Sequence, residues 1–251
     1  MGTLSNQGGQ SKLNVNSKHK LDDFPYLDVA AIFSLAVMPD LVNSFMASTS
    51  TGGTTSTLNP LLYLLIVRSV QVSLPILLIM KLRNVDWQRY GFRGFRPIGD
   101  ILVAVGLAAI GYIAYYVCAC SLLLAGFDFS TDTDALPRMT QDAHFSVGAL
   151  CLVFVSSCAN GFAEELAIRS YLITRLNELS GSKIVAAIVT TTLFAAYHSY
   201  QGRYGIVSAM AIGSVFAIYF ITAKRFWPIA IAHAILDFIP LTMLLTHVEA
   251  Q

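Results

Sequence analysis

Seven apolar runs limit what this chain can fold into. They cover roughly residues 29–46, 58–82, 98–126, 145–165, 184–197, 206–221 and 227–245. In hydrocarbon no water satisfies a peptide N–H or C=O, so each run must close its hydrogen bonds internally, as a helix does. A full crossing takes about 20 apolar residues. The expected fold is all-α: a polytopic membrane helix bundle of about seven, between six and eight, transmembrane helices. Composition agrees, with 55% hydrophobic residues, 12% charged and a mean hydropathy of +0.61, against about 25% charged in soluble domains. Several runs are too short for a full crossing. Pro39 and Asp40 interrupt the first, and Pro75 stands near the end of the second. Short, interrupted spans suit a bundle with a polar intramembrane cavity.

Charge narrows the possibilities further. The net charge is +1 and the basic residues are dispersed, which gives no face for nucleic acid. Cys118, Cys120, Cys151 and Cys158 lie in apolar runs without zinc-ligand spacing, and read as small packing residues. Residues 1–27 are polar, without the apolar core of a leader, and are expected to be a disordered cytosolic tail. Lys81, Arg83, Arg89, Arg93 and Arg96 oppose only Asp86, which puts that loop in the cytoplasm. The acidic stretch 127–144 and the uncharged stretch 48–57 then fall outside. The chain is expected to be a multi-pass cell-membrane protein, suited to a bacterial inner membrane, with a cytoplasmic N-terminus.

Ionisable groups at membrane depth are costly, about 2.5–3.5 kcal/mol each on insertion scales, and mark functional sites. Three motifs carry them. In Glu164-Glu165-Leu166-Ala167-Ile168-Arg169, Glu165 and Arg169 are four apart and share a helix face. Glu164 points about 100° away. One carboxylate can be neutralised while the other stays free. Phe194-Ala195-Ala196-Tyr197-His198 ends an apolar run with a histidine. His233-Ala234-Ile235-Leu236-Asp237 sets an imidazole and a carboxylate four apart, where they could satisfy each other by a mutual hydrogen bond. Each alone reads blandly, as a surface ion pair, a core histidine and a satisfied polar pair. Together they offer a general base for water and donors for the oxyanion of an attacked amide.

Glu-Glu-x-x-x-Arg, Phe-x-x-x-His and His-x-x-x-Asp, in this order on apolar helices, resemble the CPBP family. These are the CAAX-processing and bacteriocin-immunity membrane proteases (Abi family), which include the type II CAAX prenyl endopeptidases. Tyr90-Gly91-Phe92-Arg93 resembles the family's usual lead-in. The resemblance implies an intramembrane, glutamate-dependent endopeptidase acting on a membrane-associated or prenylated-type peptide or protein. It implies catalytic roles for Glu164, His198, His233 and Asp237. Glu165, Arg169 and Phe194 would support them, with Arg169 holding Glu165 and Phe194 shaping the wall. No cofactor is expected. A zinc site on His198, His233 and Glu164 is the alternative chemistry, and the family was long labelled metalloprotease on that ground. Asp237 stands where the prenyl endopeptidases tend to have Asn. An ionised Asp cannot donate to an oxyanion, so it would have to be protonated or orient His233. Membrane lipid and a peptide or protein substrate are the expected partners. A non-catalytic immunity or binding protein that keeps the pocket is a second reading, and a proton-coupled transporter is a third.

The expected organisation is a tail over 1–27, N-terminal membrane helices and a basic loop over 28–97, a protease domain over 98–245 and a short tail over 246–251. A simple seven-span drawing leaves Glu164 near the inner surface, with His198 about 22 Å away at about 1.5 Å per residue. The two would meet only if the chain breaks near Asn160-Gly161. Residues 164–178 would then form a half-buried or re-entrant helix lining the cavity.

Overall fold

The computed structural model describes residues 26–49, 58–127 and 146–247. All regular structure in them is helical. We number the helices α1 (27–49), α2 (Leu58–Leu82), α3 (Pro97–Leu124), α4 (Val147–Ser180), α5 (Lys183–Tyr197), α6 (Gly202–Ala223) and α7 (Trp227–His247). Six stretches are long and apolar enough to cross a membrane; α5, with 15 residues, is shorter. This is a multi-pass membrane bundle. Helix α1 starts at Leu27, the last residue assigned to the tail. The rest of that tail lies outside the described residues, as do most of the two stretches expected outside the membrane.

Two helices change pitch where polar residues enter them. In α1, Pro39 has no N–H to give to the preceding turn, and the residues before it, Phe33–Val37, are π-helical. In α4 the stretch Leu166–Ile173 is π-helical. It follows directly on the Glu-Glu pair. Such bulges are rare and are common at functional sites.

The expected break at Asn160-Gly161 is absent: α4 runs through it without interruption. Gly161 instead permits close packing, because a Cβ there would lie 2.8 Å from the Ala234 nitrogen and 3.0 Å from the Ala230 oxygen of α7. Residues 164–178 are not a separate helix but the continuation of α4, buried as far as Thr174 and partly buried from Arg175 to Glu178.

The depth problem is solved by length. At a helical rise of about 1.5 Å per residue, Glu164 lies about 24 Å along α4 from its end at Ser180. By the same rise, His198 lies about 22 Å beyond the start of α5 at Lys183. A tight turn joins α4 to α5, with Gly181 in the left-handed region (φ 70°) and the Ser182 hydroxyl accepting from the Val185 N–H. The two motifs therefore reach the same level from the same end.

That end is tied together by polar contacts. Asp28 accepts from the Tyr171 hydroxyl (2.9 Å) and pairs with Arg83 and Arg175. Asp100 pairs with Arg225, and Arg89 with Glu178. The loop between α2 and α3 folds back into the bundle. The Tyr90 carbonyl accepts from Ser170 Oγ (2.6 Å), and the Gly91 carbonyl from the Phe226 N–H (2.9 Å). Burial and the nearby Glu178 push the Tyr90 phenol up to about 12. Gly91 has φ 89°, and a side chain there would meet the Phe220 ring at 2.8 Å. The lead-in phrase is therefore an inserted turn. The four cysteines are free and exposed on the bundle surface, not packed inside as expected.

Candidate functional site

Helices α2, α4, α5 and α7 converge on the Glu-Glu pair. Glu165 is fully buried. Its Oε1 accepts from Arg169 Nη1 at 2.9 Å, along the helix face read from the spacing, and from His233 Nδ1 at 2.7 Å. Arg169 is also fully buried. Its guanidinium lies 4.1 Å from the centre of the Phe194 ring, while its Nε and Nη2 have no hydrogen-bond partner among the described residues. A cation over an aromatic face is attracted by the ring quadrupole. Phe194 thus acts on Arg169 before it acts as a wall. Gly213 makes the room, since a Cβ there would lie 2.8 Å from Arg169 Nη2.

Glu164 is turned away from this group, as the step of about 100° per residue requires. Its Oε2 lies 3.5 Å from His233 Nε2 and its Oε1 3.9 Å from Arg68 Nη1. Glu164 Oε2 accepts no hydrogen bond among the described residues. Glu165 is therefore bonded into the scaffold through Oε1, its Oε2 being buried without a hydrogen bond among the described residues, whereas Glu164 is bonded to neither Arg169 nor His233.

His233 does not pair with Asp237 in the way the spacing suggested. Its Nδ1 is committed to Glu165, and its Nε2 is 3.7 Å from Asp237 Oδ1, beyond hydrogen-bond reach. Asp237 Oδ2 instead accepts from Asn160 Nδ2 at 2.9 Å. Asn160 belongs to the site as a polar partner on α4, and its Oδ1 is buried without a hydrogen bond among the described residues.

His198 caps α5. Its Nδ1 lies 2.7 Å from the Phe194 carbonyl. A carbonyl only accepts, so Nδ1 carries the proton, and the neutral ring has its lone pair on Nε2. Its ring packs against Phe194, 4.5 Å between centroids, and Phe194 also meets the His233 ring at 6.1 Å.

The structure thus gathers Glu164, Glu165, Arg169, Phe194, His198, His233 and Asp237 at one place. Sequence reasoning missed Arg68, bound to Asp40 through Nε at 2.8 Å, and read Asn160 only as a break. The signal for Arg68 was available: a lone arginine inside an apolar run. Among the described residues no group of three His, Cys, Asp or Glu is arranged to hold a metal ion.

The family Type II CAAX prenyl endopeptidase Rce1-like matches residues 146–239. The matched stretch begins at the start of α4 and ends within α7, so it contains all three motifs. The resemblance read from those motifs is borne out there, and at the level of the family it is that of a CAAX-type intramembrane protease. Helices α1 to α3 lie outside the match. No curated protein and no solved structure matches the chain.

Proposed function

We propose that this chain is a glutamate-dependent intramembrane endopeptidase of a cell membrane, with its N-terminus in the cytoplasm. Its substrate is a membrane-associated peptide or protein of the prenylated type. The observation that carries the reading is the division of labour between the adjacent glutamates. Glu165 Oε1 is bonded by both Arg169 and His233, whereas Glu164 is bonded by neither and offers its Oε2 beside His233.

In this reading Glu164 takes a proton from a water, and the Nε2 lone pair of His198 orients it. The water oxygen bonds to the scissile carbonyl carbon, and the carbonyl π pair moves to its oxygen. His233 Nε2–H faces that oxyanion, with Nδ1 fixed on Glu165 so that the ring cannot turn. Asp237 does not donate to the oxyanion as an ionised carboxylate. It faces His233 Nε2, and Asn160 orients it. Collapse of the oxyanion breaks the C–N bond, and the proton held by Glu164 passes to the leaving amine. No step uses a metal, and cleavage is expected to persist in chelator.

The test is purified protein in lipid vesicles with a prenylated peptide reporter. Glu164→Gln should abolish cleavage while thermal unfolding stays near wild type. Wild-type protein that cleaves neither the reporter nor any protein in a comparison of membrane peptidomes would reject the reading. Cleavage by the Glu164→Gln form would reject Glu164 as the base.

A further inference from the structure

The family match leaves out α1 and α2, yet these helices bring another charged pair to the level of Glu164. At a helical rise of about 1.5 Å per residue, Asp40 lies about 20 Å along α1 from its start at Leu27. Arg68 lies about 21 Å along α2 from its end at Leu82 by the same rise. Both depths are close to the one found for Glu164. Two charges this deep need a reason beyond each other, because an apolar pair of similar volume is often no less stable.

The contacts supply one. Asp40 grips Arg68 with both oxygens: Nε is bonded to Oδ1 at 2.8 Å, and Nη2 pairs with Oδ2. A guanidinium held on two sides is fixed in plane, which a single lysine contact would not achieve. Nη1, the nitrogen left over, faces Glu164 Oε1 at 3.9 Å. Glu164 Oε2 faces His233 on the other side. The carboxylate therefore stands between a cation from the N-terminal helices and an imidazole from α7. Arg169 cannot take this part, because Glu165 holds it and Phe194 covers it. Arg68 and Asp40 also line a cavity of about 450 Å³ between α1 and α2, bounded by Pro39, Asn43 and Gln71 among others. The pair therefore borders open space between the two helices. Helix α1 is itself fixed to the end of α5, where the Ser44 hydroxyl donates to the Tyr197 carbonyl.

We infer that Arg68, anchored by Asp40, is a positioning residue for Glu164, so that α1 and α2 are part of the catalytic apparatus. This deepens the proposed function and rests on Glu164 being its base. Arg68 orients the carboxylate and keeps it ionised, and does not itself take a proton.

The test has a readout that needs no cleavage. Dicyclohexylcarbodiimide is apolar and reacts with protonated carboxyl groups, whose proton passes to its nitrogen as their oxygen adds to its central carbon, and adducts on Glu164 can be counted by peptide mass spectrometry. In full-length protein in vesicles, Arg68→Ala should raise labelling of Glu164 severalfold, and Arg68→Lys should bring it back toward wild type. Asp40→Asn keeps the guanidinium without its anchor, and should give an intermediate rise. It stands in if Arg68→Ala fails to fold. With the peptide reporter, Arg68→Ala should lower kcat and leave KM near wild type, with partial recovery in Arg68→Lys. Equal labelling of Glu164 in wild type and in the folded variants overturns the inference, whether or not the reporter is cleaved. Altered labelling without any cleavage by wild type keeps Arg68 as Glu164's partner and removes only the protease reading.

Discussion

At Gly161 and Gly213 a single hydrogen in place of a methyl group decides whether the site can assemble. A Cβ at residue 161 would press on the α7 backbone at Ala230 and Ala234, on either side of His233, and backbone cannot swing aside as a side chain can. Gly161→Ala should cost about 1–3 kcal/mol, the usual range for overpacking, read as a lowered thermal midpoint in detergent. It should also separate His233 from Glu165. The adjacent glutamates should part company in the same measurement. Glu165→Gln leaves Arg169 buried beside a neutral group and weakens the Nδ1 bond of His233, a loss of the order of 3–5 kcal/mol for a broken buried pair. Glu164→Gln removes no hydrogen bond and should unfold near the wild-type temperature. Equal destabilisation by the two would undo the assignment of scaffold and base. The sequence held most of this. Glu164, Glu165, Arg169, His198, His233 and Asp237 were all visible as charge or imidazole in apolar surroundings. Their pairings were less visible. Spacing offered His233 a partner four positions away, whereas its bond goes to Glu165 on another helix. Asp40 and Arg68 belong to no common motif, so nothing local linked them.

Among the elements, α2 was legible at both ends, because its apolar run begins and stops abruptly. Helix α4 was not. Its hydropathy falls after Glu165, where Arg169, Thr174 and Arg175 enter, so the run reads as ended. The helix continues because protein, not lipid, surrounds that part: Leu166 to Thr174 are all buried. Pattern-based reading sees the solvent a helix prefers, and a segment enclosed by its own bundle no longer has to prefer lipid. The π-helical stretch was invisible for a related reason, since one extra residue in a turn leaves no mark in composition. Its effect is testable. Deleting Ala167 should close the widened turn and displace the side chains that it presents. Tyr171 would then turn away from Asp28, and Ser170 from the Tyr90 carbonyl. The thermal midpoint should fall and cleavage should cease. A deletion mutant that keeps wild-type stability would mean that the bulge has no structural role.

Across the whole molecule, polar contacts knot the helices together at the basic end. Asp28, Arg83, Arg175 and Tyr171 join α1, α2 and α4, and the inserted Tyr90-Gly91-Phe92 turn joins α4 to α7. Gly91→Ala should be among the more harmful substitutions far from the chemistry, because it demands a left-handed backbone from an L residue and places a methyl against the Phe220 ring. Its thermal midpoint should drop although no group of the catalytic site is altered.

The short helix α5 has a consequence for the lipid. Its 15 residues make about 22 Å of helix, while a bilayer core is about 30 Å thick. Ile184, Val185, Ile188 and Val189 are exposed along it, an apolar face suited to acyl chains. A helix this short is expected to thin the bilayer beside it, at a cost that grows with every ångström of mismatch. A dimple of this kind shortens the path between headgroup water and the level of His198. Cleavage in vesicles of graded acyl-chain length should rise as the chains shorten toward the length of α5, until the longer helices are stranded in turn. Rates independent of chain length would mean that the membrane yields at α5 without consequence for the chemistry. A thickness optimum would make the host bilayer a determinant of where in a cell this protein works.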